Sequence, residues 1–172
     1  MKNIFTIVVM AIFLVGCSSE VIDVENLQKR NEVYYEVNNE KPFTGKSVDW
    51  YENGQKKEEA NLKDGKVEGL WTFWYENGQK KSEKNFKDGK RNGLTTMWYE
   101  NGQKRAEINY KNGKEEGLTT TWNENGQKEG EINYKNGKKE GLSTAWDKNG
   151  QKKGERDKLQ EWKKRESNDR VV

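Results

Sequence analysis

Histidine is absent from this 172-residue chain. That removes His general bases, His-dependent triads and His metal ligands. One cysteine, Cys17, leaves no intrachain disulfide and no structural zinc site. One proline, Pro42, is present. Leu, Ile, Val and Phe are scarce too: after position 17 they supply 21 of 155 residues. That share is below the level at which chains are usually disordered. Yet the formal net charge is only +3 and aromatics reach 11%, and a disordered chain is normally poor in aromatics. Something must make few apolar residues sufficient. The nearly balanced charge also gives no basic domain for nucleic acid. Gly45-Lys46-Ser47 ends like a phosphate loop, but Glu40 stands where that motif needs Gly.

The one long apolar run is at the start. Lys2 precedes Ile4 to Val15, a stretch interrupted only by Thr6. About a dozen residues are too few to span a bilayer and read as the core of a secretion signal, residues 1–16. Leu14-Val15-Gly16-Cys17 resembles the lipobox of bacterial lipoproteins. The resemblance implies cleavage before Cys17 and diacylglyceryl attachment to its thiol, with added palmitate. Residues 17–20 would then be a lipidated tether. Several acyl chains hold a protein on a membrane stably where one does not. The expected location is therefore the cell membrane or outer membrane, lipid-anchored and extracytoplasmic. Ser18 is compatible with outer-membrane sorting.

The remainder repeats every 24 residues without an insertion over five units. Trp recurs at Trp50, Trp74, Trp98, Trp122 and Trp146; Asn-Gly recurs at Gly54, Gly78, Gly102, Gly126 and Gly150. A second glycine recurs at Gly45, Gly69, Gly93, Gly117 and Gly141, and a third at Gly65, Gly89, Gly113 and Gly137. Each unit holds two strand-like runs, such as Leu118 to Trp122 and Glu129 to Tyr134, separated by Asn-Gly. Three glycines per unit exclude helix. Parity predicts a three-residue loop at Asn125-Gly126, a type I turn with Gly in a left-handed bulge position. That loop is expected to put Leu118 and Trp122 on one face with Ile132 and Tyr134. The other face would carry Lys81, Glu83, Asn85 and their equivalents.

The fold class predicted is all-β: an elongated single-sheet antiparallel meander of 24-residue hairpin repeats over residues 46–151. One unit cannot fold alone, because its few large side chains do not offset the ordering of 24 residues. Residues 21–45 read as an N-terminal capping hairpin, with Val21 to Leu27 pairing near Val33 to Val37. Residues 152–172 read as a C-terminal cap or tail, with a short helix over Asp157 to Glu166.

Gly-Leu-x-x-x-Trp-Tyr-Glu-Asn-Gly-Gln-Lys, followed by Lys-Asn/Asp-Gly-Lys, resembles the MORN-repeat variant family of bacteria. The copies at Gly69 to Lys90 and Gly93 to Lys114 are the clearest. The resemblance covers about residues 33–151 and implies a repeated hairpin sheet. Members of that family are often labelled antitoxins of toxin–antitoxin pairs.

Three groups of residues are candidate sites. The Trp column, with Lys56, Lys80, Lys104, Lys128 and Lys152 on its face, could hold a sugar or anionic headgroup. The plainer reading makes Trp50, Trp74, Trp98, Trp122 and Trp146 structural, capped by lysine stems. Trp71, Phe73, Tyr75, Met97 and Tyr99 depart from the repeat and form a candidate partner-binding face, unless a terminal segment covers them. The acidic column Glu59, Glu83, Glu107 and Glu131 reads as a solvated, salt-paired face rather than an acid/base pair. No enzyme, metal site or cofactor is expected. The expectation is a non-enzymatic binding or scaffold module at the envelope, its partner another protein or an envelope glycan or lipid. The alternative is an antitoxin- or immunity-like inhibitor.

Overall fold

The computed structural model describes residues 20–156. The lipobox-like segment with Cys17, and the helix expected at Asp157 to Glu166, lie outside the described residues. The strands in chain order are β1 (Val21–Asp23), β2 (Leu27–Arg30), β3 (Val33–Glu36), β4 (Gly45–Trp50), β5 (Lys56–Lys63), β6 (Lys66–Trp74) and β7 (Lys80–Lys87). They continue as β8 (Lys90–Trp98), β9 (Lys104–Lys111), β10 (Lys114–Glu115), β11 (Gly117–Trp122), β12 (Lys128–Lys135), β13 (Lys138–Trp146) and β14 (Lys152–Arg156). From β4 onward each strand pairs with its sequence neighbour, giving one open 12-stranded sheet in which β10 is a short offshoot on β9. Strands spaced about 4.8 Å apart make this a sheet of roughly 50 Å. It runs past residue 151, because β14 still pairs with β13.

Three glycine series make three backbone features in every unit. At the Trp end, the Gly126 amide donates to the Asn123 carbonyl and the Asn123 amide to the Gln127 carbonyl, with Gly126 at φ 78°. This is the three-residue loop that parity predicts. At the other end, Lys-Asn/Asp-Gly-Lys closes in two residues. Asp64 and Gly65 have φ of 49° and 71°, as a type I′ turn requires. The remaining series sits where three residues of one strand oppose one of the next. Ala60 pairs with Trp71 and Leu62 with Val67, and Gly69 between them has φ 77°.

One expectation about the faces is wrong. A further bulge lies just inside each Trp: Thr121 pairs with Gly130 but Trp122 with Lys128, so Glu129 is left over. The extra residue moves every side chain of the second strand to the opposite face. Lys57, Lys81 and Arg105 are the equivalent extra residues. The first face therefore carries Trp, Leu and Thr together with Lys, Glu and Asn. Its middle row reads Val48, Glu59, Thr72, Glu83, Thr96, Glu107, Thr120, Glu131, Thr144 from strand to strand. Ile132 and Tyr134 lie on the second face, with Thr119 and Gly117. Glu83 and Asn85 lie with Trp74 and Leu70, not against them.

The N-terminal cap also differs from expectation. Val21–Asp23 does not form the hairpin; it joins β4 in parallel, making the sheet mixed. The capping hairpin is β2 with β3, closed by Asn31 and Glu32 at φ 49° and 64°. It covers the second face at the first unit. Leu27 and Tyr34 pack on a cluster of Phe43, Ala60, Leu62 and Val67, joined by Ile22, Trp71 and Phe86. Each large apolar side chain buried there contributes about 1.5–3 kcal/mol. Tyr34 N donates to Gly65 O, Gly65 N to Phe43 O and Phe43 N to Tyr34 O, which lock the hairpin to the first type I′ turn.

Candidate functional site

On the first face, Trp and Lys alternate along one row. Lys56 Nζ lies 5.9 Å from the Trp50 ring and 5.3 Å from the Trp74 ring. Lys104 stands 5.9 Å from Trp122, and Lys128 stands 5.3 Å from Trp146. The same lysines pair with the acidic column three residues later: Lys56 with Glu59, Lys80 with Glu83, Lys104 with Glu107 and Lys128 with Glu131. Glu59 also receives Lys46 at 2.9 Å. Hydrogen bonds from Lys56 and then Lys46 hold its carboxyl below the usual range. These pairs are partly exposed, so each contributes only about 0.2–1 kcal/mol. Trp74, Trp98, Trp122 and Trp146 are half-buried; Trp50, nearest the end of the array, is 50% exposed.

The candidate partner-binding residues divide into two groups. Tyr75 and Tyr99 serve the turns. Their hydroxyls donate to the Trp98 and Trp122 carbonyls one unit on, as Tyr51 donates to Trp74. Asn53, Asn77 and Asn101 make a parallel ladder to the carbonyls of Glu76, Glu100 and Glu124.

Trp71, Phe73 and Met97 share the second face. Trp71 stacks on Phe73 with centroids 5.1 Å apart at 27°, and tilts against Phe86 at 5.6 Å. It borders a small cavity of about 50 Å³ under the capping hairpin, shared with Leu27, Tyr34 and Glu58. Its indole Nε1 is buried with no hydrogen-bond partner among the described residues. Phe73 continues outward from the cap. The Lys84 ammonium lies 4.1 Å from its ring centroid, and Glu58 is its cross-strand neighbour. Burial pushes the Glu58 carboxyl up, and the Asp49 charge adds to that. Burial pulls the Lys84 ammonium down, and Arg91 adds to that.

Phe73 and Met97 also belong to one row across the sheet: Asp49, Glu58, Phe73, Ser82, Met97, Ala106, Thr121, Gly130, Ala145. Beyond Glu58 every other member is small. Two large, half-buried side chains therefore project from a row of Ser, Ala, Thr and Gly. The arrangement supplies an aromatic platform, a flexible thioether and two charges of opposite sign. It suits recognition of a side chain or ring.

Sequence reasoning missed Glu58, Lys84 and Phe86 as members of this group. The available signal was variation at fixed repeat positions: Lys84 stands where the other units have Ala60, Ile108 and Ile132.

A family profile described as MORN repeat variant matches residues 43–64, 67–88, 91–112 and 115–136, together half of the chain. No curated protein matches the chain significantly. Each match runs from a Trp-bearing strand through its three-residue loop and the next strand, and ends at the first residue of a type I′ turn; successive matches start 24 residues apart, the period seen in the sheet.

Proposed function

The chain belongs to the MORN repeat variant family, and from that premise we propose a non-catalytic binding or scaffold module held at the cell envelope. The anchor is lipid on Cys17. Four residue steps separate Cys17 from Val21. At about 3.3–3.6 Å per residue, β1 then stands within about 14 Å of the acyl attachment. The anchored end is the capped end, and the array extends away from it.

The observation that carries the binding reading is the pair Phe73 and Met97 on a row of small residues. Aromatic and Met side chains are enriched where proteins meet partners. Small neighbours let a partner approach the backbone on both sides. The partner proposed is another protein, with an envelope glycan or lipid as the lesser choice. A second reading, an antitoxin- or immunity-like inhibitor, uses the same face and draws on the resemblance to antitoxin-labelled members. Non-catalysis is supported by the acidic column, whose four carboxylates are each tied to a lysine.

Photo-crosslinking from position 73 or 97 on intact cells tests the face. Capture of one protein, lost on Met97→Asp with the fold intact, supports the reading; crosslinks only within the chain sink it. Assaying the captured protein with and without this chain separates scaffold from inhibitor. Fractionation of Cys17→Ala tests the anchor: if the variant stays with membranes, lipid on Cys17 is not what holds it there.

A further inference from the structure

One long edge of the sheet is a row of paired lysines. The two-residue turns put Lys63 opposite Lys66, Lys87 opposite Lys90, Lys111 opposite Lys114 and Lys135 opposite Lys138. Like charges in direct cross-strand register oppose pairing. All eight side chains are exposed. Of these eight, only Lys135 has an ion-pair partner among the described residues, Glu140 at 3.6 Å. Folding alone gives no reason to hold four such pairs in line.

The row is also fixed in place. Each turn bonds to the unit before it: Gly89 N to Val67 O, Gly113 N to Arg91 O and Gly137 N to Glu115 O. Asp88, Asn112 and Asn136 amides are held by Glu68, Asn92 and Glu116 side chains. The stems of Lys66 and Lys114 lie against Gly89 and Gly137. Successive pairs are thus about 9.6 Å apart, two strand spacings. The opposite edge differs. Its loops carry Glu52, Glu76, Glu100 and Glu124; Lys56, Lys80, Lys104 and Lys128 beside them are tied to the acidic column and Lys57 to Asp49.

The turn position itself loses its negative charge along the row. The first two turns hold Asp64 and Asp88, while the next two hold Asn112 and Asn136 at the same backbone angle. Lys114, Lys135, Lys138 and Lys139 line an open depression of about 470 Å³ together with Asn136 and Glu140.

We propose that this edge binds a linear polyphosphate, a phosphate polyanion without bases, with the Asn112 and Asn136 turns as its strongest part. The repeat supplies two ammonium groups per step to a chain that carries charge at regular intervals. Flexible lysines suit phosphates as point charges without fixed geometry. The proposal stands apart from the Phe73–Met97 face, so either can fail alone.

The test is titration of the purified full chain with sodium polyphosphate, with phosphatidylglycerol vesicles and single-stranded DNA of equal charge as comparators. Polyphosphate should bind most tightly, with log affinity falling steeply against log salt. Combined Lys111→Gln, Lys114→Gln, Lys135→Gln and Lys138→Gln should weaken it at least tenfold. Asn112→Asp with Asn136→Asp copies the first two turns, keeps the fold and should weaken it several-fold. The proposal is overturned if the four-lysine variant binds within twofold of the parent. It is equally overturned if vesicles or DNA bind more tightly than polyphosphate, or if the double Asp variant is unchanged.

Discussion

Replacing Gly65 by Ala should damage this protein far more than replacing Gly113, although both occupy the second position of the same type I′ turn. Their φ angles are 71° and 82°. Any L residue there costs about 1–2 kcal/mol. At Gly113 that is the whole cost, because a Cβ would meet nothing within 4 Å. At Gly65 it would sit 2.3 Å from Val33 Cγ1, 2.6 Å from the Tyr34 carbonyl oxygen and 3.1 Å from Pro42 Cβ. Backbone and a proline ring cannot swing aside, so the capping hairpin must lift. Lifting it loses Tyr34 N to Gly65 O and strains Gly65 N to Phe43 O, each 2.8 Å long. At about 0.5–1.5 kcal/mol per bond, Gly65→Ala should cost about 2–5 kcal/mol. Repeat arrays open locally, so the assay is hydrogen exchange at the Tyr34 and Phe43 amides alongside urea unfolding. Gly65→Ala should abolish protection at those two amides while Gly113→Ala leaves it intact. Equal destabilisation by both variants, with the two amides still protected, would refute the docking argument.

Thr95→Val should stabilise the sheet by about 1 kcal/mol in thermal unfolding. Thr95 is fully buried and its hydroxyl has no partner among the described residues, so an unsatisfied polar group is replaced by a methyl of the same shape. Tyr75→Phe should cost about 0.5–1.5 kcal/mol, since it removes the 2.8 Å bond to the Trp98 carbonyl. The same change at Tyr110, whose hydroxyl accepts from Arg91 instead, should not unlink the Trp-end loops, and hydrogen exchange across 98–103 distinguishes the two. Glu58→Gln should raise stability at neutral pH. Its folded pKa is raised by burial, so the charged form carries a penalty above that pKa, which disappears as pH falls through it. Urea midpoints should therefore rise in the variant at pH 7 and converge with the parent's on acidification; a lower midpoint at pH 7 would contradict the assignment.

Much of the architecture was legible in the residues because a 24-residue period is a local signal repeated five times. Asn-Gly after Trp-Tyr-Glu and Asp-Gly between lysines both announce turns, and both form where expected. The face assignment was not legible. It depends on one extra residue per hairpin, at Lys57, Lys81, Arg105 and Glu129, and an exposed charged residue in a bulge looks like one in a regular strand. Parity fixes the loop but carries no sign of the bulge, so the residues alone put Ile132 and Tyr134 on the wrong side. The Phe73–Met97 face was half legible. Departure from the repeat marked Phe73 and Met97, but it marked Tyr75 and Tyr99 equally, and those belong to the turn ladder.

By itself the sequence determined that this chain must be a sheet of hairpins. Its glycines forbid helix, its scarce apolar residues forbid a thick two-layer core, and its spacing dictates where each turn falls. Tertiary structure decided what each face carries and where the core lies. The bulges sort Trp, Lys, Thr and Glu onto one side and leave Ile, Tyr and the variant aromatics on the other. The N-terminal hairpin then covers that second side only at the first unit. The physical reason is range. Turn chemistry acts over four or five residues and repeats faithfully. The docking of Tyr34 onto Gly65, and of Leu27 onto the cluster of Ala60, Leu62 and Val67, joins positions that no local pattern connects.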